Sequence, residues 1–239
     1  MIIWLNGTPS TDYNITVSGV QRPLLPARTP REITVPGYPG TYDFGNPNIG
    51  KREYKITCHF EPMTGKTLVE TAQAIALWLI SATSMILEDQ PDIAWTGYVL
   101  SNVDLDNMVA LGRFSFSFVA QPYGEDVEET TGIINVAQDY GSALPFAPLI
   151  IIELAEATNS LQVQLISTGQ FVRIEGALAA DDIIVFDMTR GLVTHNGLSV
   201  MPLVSLDSQF FRVPPGEQLI LTTPASGLTG QIIYKRQYL

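Results

Sequence analysis

Short runs of apolar residues, separated by clusters of glycine, proline and asparagine, make up most of this chain and predict a mainly β protein. Residues 113–118 alternate strictly, which puts three phenylalanines on one face and small polar residues on the other, as in a half-buried antiparallel strand. The runs predict strands near 2–6, 14–20, 31–36, 51–61, 84–88, 93–103 and 108–121, and then near 148–156, 161–166, 170–175, 182–187, 191–195, 208–213, 217–222 and 229–236.

One segment has helical periodicity instead. Leu68, Ala72, Ile75 and Leu79 recur at the spacing of one helix face, which predicts a helix over 68–82. Thr67 stands three residues before Glu70, the spacing of a capping box, so the helix is expected to begin there and to cover one face of the sheet.

Residues 22–50 contain six prolines and four glycines, too many for central strands of a sheet. The segment predicts a protruding β-hairpin arm whose exposed edges and aromatic side chains would be covered by a neighbouring subunit. The alternative is a solvated surface loop without a partner. The candidate inter-subunit residues of the arm are Val35, Pro36, Gly37, Tyr38, Tyr42 and Phe44.

A domain boundary is predicted where the composition changes. Residues 122–132 are acidic and rich in turn formers, and 139–148 carry Gly141, Pro145 and Pro148. The chain has 239 residues and is 46% apolar, enough for two separate cores. We therefore expect an N-terminal domain over 1–132 and a C-terminal antiparallel β-sandwich over 133–239.

Charge and cysteine content narrow the classes of partner. The formal net charge of −11 disfavours nucleic-acid binding, which depends on Lys and Arg neutralising phosphates. The single cysteine, Cys58, provides neither a disulfide nor a zinc-ligand pair, which fits folding in a reducing host cytoplasm. The first residues do not form a signal peptide, and the longest apolar stretch, 74–80, is far shorter than a membrane span, so no membrane association is expected.

Two short motifs resemble ligand-binding loops, but each lacks residues that such a loop requires. Gly65-Lys66-Thr67 resembles the end of a phosphate-binding loop, but Phe60 stands where the first glycine belongs. Asp104-Leu105-Asp106-Asn107 lacks the glycine and glutamate of a calcium loop and is more typical of a hairpin turn.

The candidate nucleophile, bases and carboxylate pairs are not expected to form a catalytic site either. Cys58 and His59 are adjacent on a predicted strand and so point to opposite faces, His195 is expected at a turn, and Asp181-Asp182 and Glu128-Glu129 are expected in solvated turns. No catalytic residue, cofactor site or metal site is predicted, and the protein is not expected to be an enzyme.

Seven segments carry a family resemblance through their shared order along the chain. They are 33–40 (ITVPGYPG), Trp78-Leu79, 116–123 (FSFVAQPY), 147–152 (APLIII), 182–187 (DIIVFD), Asn196-Gly197 and 213–218 (VPPGEQ). Together they resemble the distal tail (Dit) protein family of siphophages. Relatives tend to have Asn where this chain has Gln218, and a polar residue where it has Tyr38.

This resemblance implies a structural hub at the distal end of the tail of a virion. Six copies would form a ring through their N-terminal belt domains and arms, with galectin-like C-terminal domains outside. The ring would join the tail tube protein to the tail-associated (Tal) protein, carry receptor-binding proteins in some phages, and let DNA pass. Six copies would carry 6 × −11 = −66 charges, and such a surface would not trap passing DNA.

The rival interpretation is a carbohydrate-binding module for host attachment, because the second domain resembles a galectin. Sugar sites usually offer an aromatic platform on a concave face. The chain has no tryptophan after Trp95, and the strand pattern buries most of Phe171, Phe186, Phe210 and Phe211. The hub is therefore the favoured interpretation.

Overall fold

A computed structural model describes residues 1–34, 36–37, 39–45, 48–100 and 112–239. The chain divides into two compact units, which are Met1–Val127 together with Leu239, and Glu128–Tyr238. The division falls inside the acidic 122–132 segment. Within each unit the strand pairs of the described residues are antiparallel, and the predicted mainly β fold is confirmed.

The first unit consists of short strands and one α-helix in the part of the chain that the structure describes. A 3₁₀ helix at Ser10–Tyr13 lies between the second and third strands. The elements are β1 (Ile3–Leu5), β2 (Thr8–Pro9), β3 (Ile15–Gln21), β4 (Arg28–Thr29), β5 (Glu32–Thr34), β6 (Thr41–Asp43), β7 (Asn48–Ile49), β8 (Arg52–Phe60), α1 (Leu68–Ile80), β9 (Ser84–Leu87), β10 (Gln90–Leu100), β11 (Arg113–Ala120) and β12 (Gly124–Asp126).

The main sheet of this unit has the strand order β2-β1-β9-β10-β11-β8-β3, and β12 also pairs with β10. Alternation along β11 buries Phe114, Phe116 and Phe118, as predicted, because successive side chains of a strand point to opposite faces. On the neighbouring β8 these phenylalanines lie opposite Cys58, Ile56 and Tyr54. The two strands therefore provide much of the core.

Helix α1 covers this core with one face. The Thr67 hydroxyl accepts from the Glu70 amide at 3.3 Å, and the Glu70 carboxylate accepts from the Thr67 amide at 2.8 Å, so the predicted capping box is present. Ile75 and Trp78 are buried, and Trp78 stacks on Tyr13 at 5.1 Å between ring centroids. The helix ends at Ile80, two residues before the predicted end.

The second unit is a sandwich of two main sheets. One has the order β13-β23-β15-β18-β19-β20 and the other β17-β16-β22, while β14 pairs with β21. Alternate residues of β15 and β16 enter one core cluster, which places the two sheets face to face. The strands are β13 (Thr130–Ile133), β14 (Gln138–Asp139), β15 (Leu149–Leu154), β16 (Thr158–Leu165), β17 (Phe171–Leu178), β18 (Ile183–Asp187), β19 (Leu192–His195), β20 (Leu198–Ser199), β21 (Glu217–Gln218), β22 (Ile220–Thr223), β23 (Leu228–Tyr234) and β24 (Gln237–Tyr238).

Three strand predictions need correction. The predicted strand at 208–213 is wrong, because only an isolated bridge between Val213 and Phe146 forms there. Its apolar residues include Phe211 and Val213, which are buried in the core, and burial of side chains does not require a ladder. The run at 217–222 forms two strands, β21 and β22, and the strand predicted at 31–36 is described only over Glu32–Thr34.

Candidate interaction surface on the arm

Residues 22–50, called the arm below, form a hairpin with two short ladders. In the ladder nearer the main sheet, β4 pairs with β7, with Arg28 opposite Ile49. In the outer ladder, β5 pairs with β6, with Ile33 opposite Tyr42. Gly37 lies in the connection between β5 and β6 with φ +83°, a backbone conformation that side chains with a Cβ rarely adopt. The prolines and glycines thus shape a hairpin, as the composition predicted.

The base of the arm is held by charged groups. The buried Arg52 donates from Nη1 to the carbonyl of Pro23 in the arm at 3.5 Å and from Nε to the Pro122 carbonyl at 2.9 Å, and its guanidinium lies 5.1 Å from the centre of the Trp95 ring. Arg22 forms an ion pair with Asp89 at 2.5 Å, and this hydrogen bond holds the pKa of the Asp89 carboxyl below its usual range. The arm is therefore fixed where it leaves the sheet.

The outer ladder presents an apolar face to solvent. Ile33 and Tyr42 lie opposite each other and so share a face, and Phe44 follows Tyr42 by two residues on the same face. The Tyr42 and Phe44 rings meet edge to face at 5.1 Å. The exposed fractions are 51% for Ile33, 58% for Tyr42 and 61% for Phe44. Single exposed apolar residues are ordinary on protein surfaces, but a contiguous group of large ones is typical of an interaction site.

Four of the six predicted arm residues belong to the described part of the chain, and all four are exposed. Pro36 and Gly37 lie in the exposed turn between β5 and β6, and Tyr42 and Phe44 form the exposed aromatic pair. Val35 and Tyr38 lie outside the described residues, as do Asp104, Leu105, Asp106 and Asn107 of the predicted hairpin turn.

Further exposed apolar residues were not predicted from the sequence. On the arm these include Leu24 and Leu25, which are 90% and 56% exposed. On α1, Val69, Leu77 and Ile80 are 44%, 71% and 84% exposed. Their spacing of eight and three residues puts all three on one side of the helix, opposite the buried Ile75 and Trp78. The apolar run at 74–80 contained this signal, because its hydrophobic positions go all the way around the helix.

The cysteine, histidine and aspartate side chains considered in the sequence analysis do not come together in a reactive site. Cys58 is buried and burial raises the pKa of its thiol to about 12, while His59 on the next position points to the other face of β8. His195 ends β19, with Nε2 at 2.8 Å from the Asp182 carboxylate. Hydrogen bonds from the Asn196 side chain and the Ala179 amide lower the pKa of Asp182.

Among the residues that the structure describes, no three His, Cys, Asp or Glu side chains come together where they could hold a metal ion. Within the same residues, no helix has the length and apolar character needed to cross a membrane.

The second unit has an open depression on the outer face of its larger sheet. Ile151 lies opposite Gln231 and Glu153 opposite Thr229, and Gly230 completes the lining. These side chains include polar groups but no aromatic ring. Phe186 and Phe211 are buried, and Phe171 and Phe210 are half-buried and face Arg173 and Gly191. The depression therefore lacks the platform that favours sugar binding.

Comparison with known proteins places these features in a family. Residues 9–120 match the phage tail protein RIFT-related domain, and residues 141–238 match the C-terminal domain of the siphovirus-type tail component. No curated protein matches the chain. The crystal structure of the Dit protein of phage SPP1, described as a paradigm of the hub adsorption apparatus in phages that infect Gram-positive bacteria, is similar over 100% of this chain and 99% of its own, with a TM-score of 0.81 at 14% identity.

A second structure, the baseplate of phage P2 in its activated conformation with calcium, matches 98% of this chain and 97% of its own at 12% identity with a TM-score of 0.47. The SPP1 likeness shows a shared fold, and the predicted resemblance to Dit proteins is confirmed. Because the two family matches together span most of both units, this chain belongs to the siphophage distal tail protein family, whose members are structural components of the phage tail.

Proposed function

We propose that this protein is the structural hub of a tail tip, a ring of six copies closed by their arms. The ring joins the end of the tail tube to the tail-associated (Tal) protein and, where the phage has them, holds receptor-binding proteins on its C-terminal units. It acts by assembly, and no catalysis is part of its role. The first unit, close to the predicted 1–132 domain, forms the ring.

The observation that carries this proposal is the exposed apolar face of the arm. Ile33, Tyr42 and Phe44 lie on a hairpin of two strands that pair only with each other in the described part of the chain. An isolated two-stranded hairpin is marginally stable in water, and its outer edges offer unpaired backbone groups. Contact with another subunit covers the side chains and supports the hairpin.

The proline content of the arm suits this role. Binding costs free energy for every segment that must become ordered, and proline restricts the backbone before binding occurs. Arg52 and the Arg22–Asp89 pair further fix the base of the hairpin. A pre-shaped arm loses less entropy on a neighbouring copy than a flexible loop of equal length does.

DNA passage fits the overall charge. With −11 per copy, the ring carries a large negative charge, and an acidic surface repels the phosphate backbone. The proposal requires the lining of the assembled channel to be acidic or neutral. A basic lining in a map of the assembled ring contradicts DNA passage by this means.

The experiment compares the wild-type chain with Tyr42→Ser and Phe44→Ser over a range of concentrations, by native mass spectrometry and light scattering. Wild-type protein is expected to form hexamers or stacked hexamers. Each variant is expected to assemble about tenfold less tightly or worse, the usual effect of losing one buried aromatic anchor. Leu198→Ser is the control, because Leu198 is 75% exposed and belongs to the second unit. A wild-type chain that stays monomeric at high concentration contradicts the ring.

A further inference from the structure

Helix α1 has a largely apolar face that the described part of the chain leaves open. Val69, Gln73, Ala76, Leu77 and Ile80 are all exposed and fall within a sector of roughly 100° around the helix axis, given 100° per residue. The opposite sector packs on the core through Ile75 and Trp78. A helix that covers a core in a free-standing unit normally turns polar residues outward, so this face is suited to a partner.

We propose that this face of α1 receives the arm of the adjacent copy. The inference rests on the proposed ring and names the surface that the arm grips. Both surfaces belong to the same chain, both are apolar, and neither is covered by the residues that the structure describes. Two different patches that fit each other make a head-to-tail contact, and a head-to-tail contact closes a ring when its rotation allows.

Charge favours a second copy as the occupant. The arm contains three basic and two acidic residues, so it carries +1 while the remainder of the chain carries −11 − 1 = −12. Arg22 is paired with Asp89 at the base, which leaves Arg28 and Arg31 as the exposed cations of the arm. Opposite charges on facing surfaces fix the register and steer association.

Arg31 is placed to act beside the aromatic pair. Its carbonyl accepts from the Phe44 amide at 2.9 Å, so Arg31 and Phe44 lie opposite each other across the hairpin. On the acceptor side, Glu70 lies in the first turn of α1 with an exposed side chain, and it falls within roughly 20° of Leu77 around the helix axis at 100° per residue. The arm therefore offers an apolar centre with Arg31 beside it, and the helix offers an apolar centre with one carboxylate at its border.

The contact is tested by cross-linking between two versions of the full chain. A tagged chain with Thr41→Cys is mixed with an untagged chain with Ala76→Cys and treated with a short bismaleimide, so that Tyr42 and Leu77 are kept. Both positions are exposed, whereas the native Cys58 is buried and does not compete. The expected product is an adduct with one chain of each kind. The matched control replaces Ala76→Cys by Leu198→Cys on the second unit, and no mixed adduct is expected there.

The outcomes separate this inference from the ring itself. If rings form but the Thr41→Cys chain links only to another Thr41→Cys chain or to the Leu198→Cys control, the ring stands and the α1 contact is overturned. If wild-type chains do not assemble, both fall. If assembly appears only after a different tail protein is added, the occupant of the α1 face is that protein and the inference is overturned.

Two substitutions give a second readout. Ile80→Glu leaves the folded unit intact, since Ile80 is 84% exposed, and is expected to weaken assembly by about tenfold or more. Arg31→Glu is expected to weaken assembly most at low salt, because screening reduces the contribution of exposed charges. Arg190→Glu in the second unit, whose side chain is 78% exposed, is the charge control. Unchanged assembly of Ile80→Glu contradicts the proposal.

Discussion

Gly97 lies where the backbone of β11 passes closest to β10. A Cβ at this position would come within 2.3 Å of the Val119 carbonyl oxygen and 2.8 Å of the Ala120 Cα. These are backbone atoms of a paired strand, so they cannot move aside without disturbing the ladder. The close approach of these two strands therefore requires glycine at position 97, which the sequence alone did not indicate.

Gly97→Ala is expected to lower the free energy of unfolding of the first unit by about 2 kcal/mol, within the range for overpacking of a tight site. Urea unfolding followed by tryptophan fluorescence measures the effect. Gly19→Ala is the control, because nothing lies within 4 Å of a Cβ at that strand position. Equal midpoints for the two variants contradict the role assigned to the close contact.

Tyr54 makes the first unit sensitive to alkaline conditions. Burial raises the pKa of Tyr54 to about 12, although the nearby Arg52 guanidinium acts in the opposite direction. In an unfolded chain a tyrosine has a pKa of about 10. Between these values the unfolded chain has lost the proton and the folded chain still holds it. Stability therefore falls as pH rises through this window, and below it this group adds no pH dependence.

Tyr54→Phe is expected to flatten the loss of stability between about pH 10 and about pH 12, while the ring keeps its packing against Trp95 at 5.3 Å. Urea midpoints at a series of pH values measure the slope. Tyr98→Phe, at a side chain that is 43% exposed, serves as the comparison and should retain the wild-type slope. A Tyr54→Phe slope equal to that of wild type contradicts the assignment.

At the scale of elements, local signals were predicted well and relations between elements were not. The start of α1 followed from Thr67 and Glu70 because a capping box needs only neighbouring residues. The false strand at 208–213 arose because an apolar run indicates which side chains are buried, whereas strand pairing depends on a distant partner. The arm was predicted from its prolines and glycines, but the pairing of Ile33 with Tyr42 was not, since register depends on turn geometry.

The capping box also explains the Gly65-Lys66-Thr67 segment without any nucleotide. Thr67→Ala is expected to lower the stability of the first unit by about 1 kcal/mol, because the Glu70 amide loses its acceptor. Thr64→Ala, in the exposed turn before the helix, makes the same chemical change and should leave the unfolding midpoint in place. A larger effect at Thr64 than at Thr67 contradicts the capping role.

At the scale of the whole molecule, the sequence predicted the kind of protein better than its contacts. Family resemblance came from the order of many weak segments along the chain, and the family matches over 9–120 and 141–238 confirm it. The open face of α1 was missed because the run at 74–80 was judged by its length against a membrane span. The length of the run does not show which residues face outward, whereas the angular positions of Leu77 and Ile80 around the helix do.

The two units have separate core clusters, and the unfolding of each can be followed by a different spectroscopic signal. All three tryptophans, Trp4, Trp78 and Trp95, lie in the first unit, so tryptophan fluorescence follows that unit alone, whereas far-UV circular dichroism follows both. Ile152 is fully buried in the second core, and Ile152→Ala is expected to lower the stability of that unit by about 3 kcal/mol. The circular dichroism midpoint should fall while the fluorescence midpoint stays, because each core then melts on its own. If both midpoints fall together, the units unfold as one cooperative body.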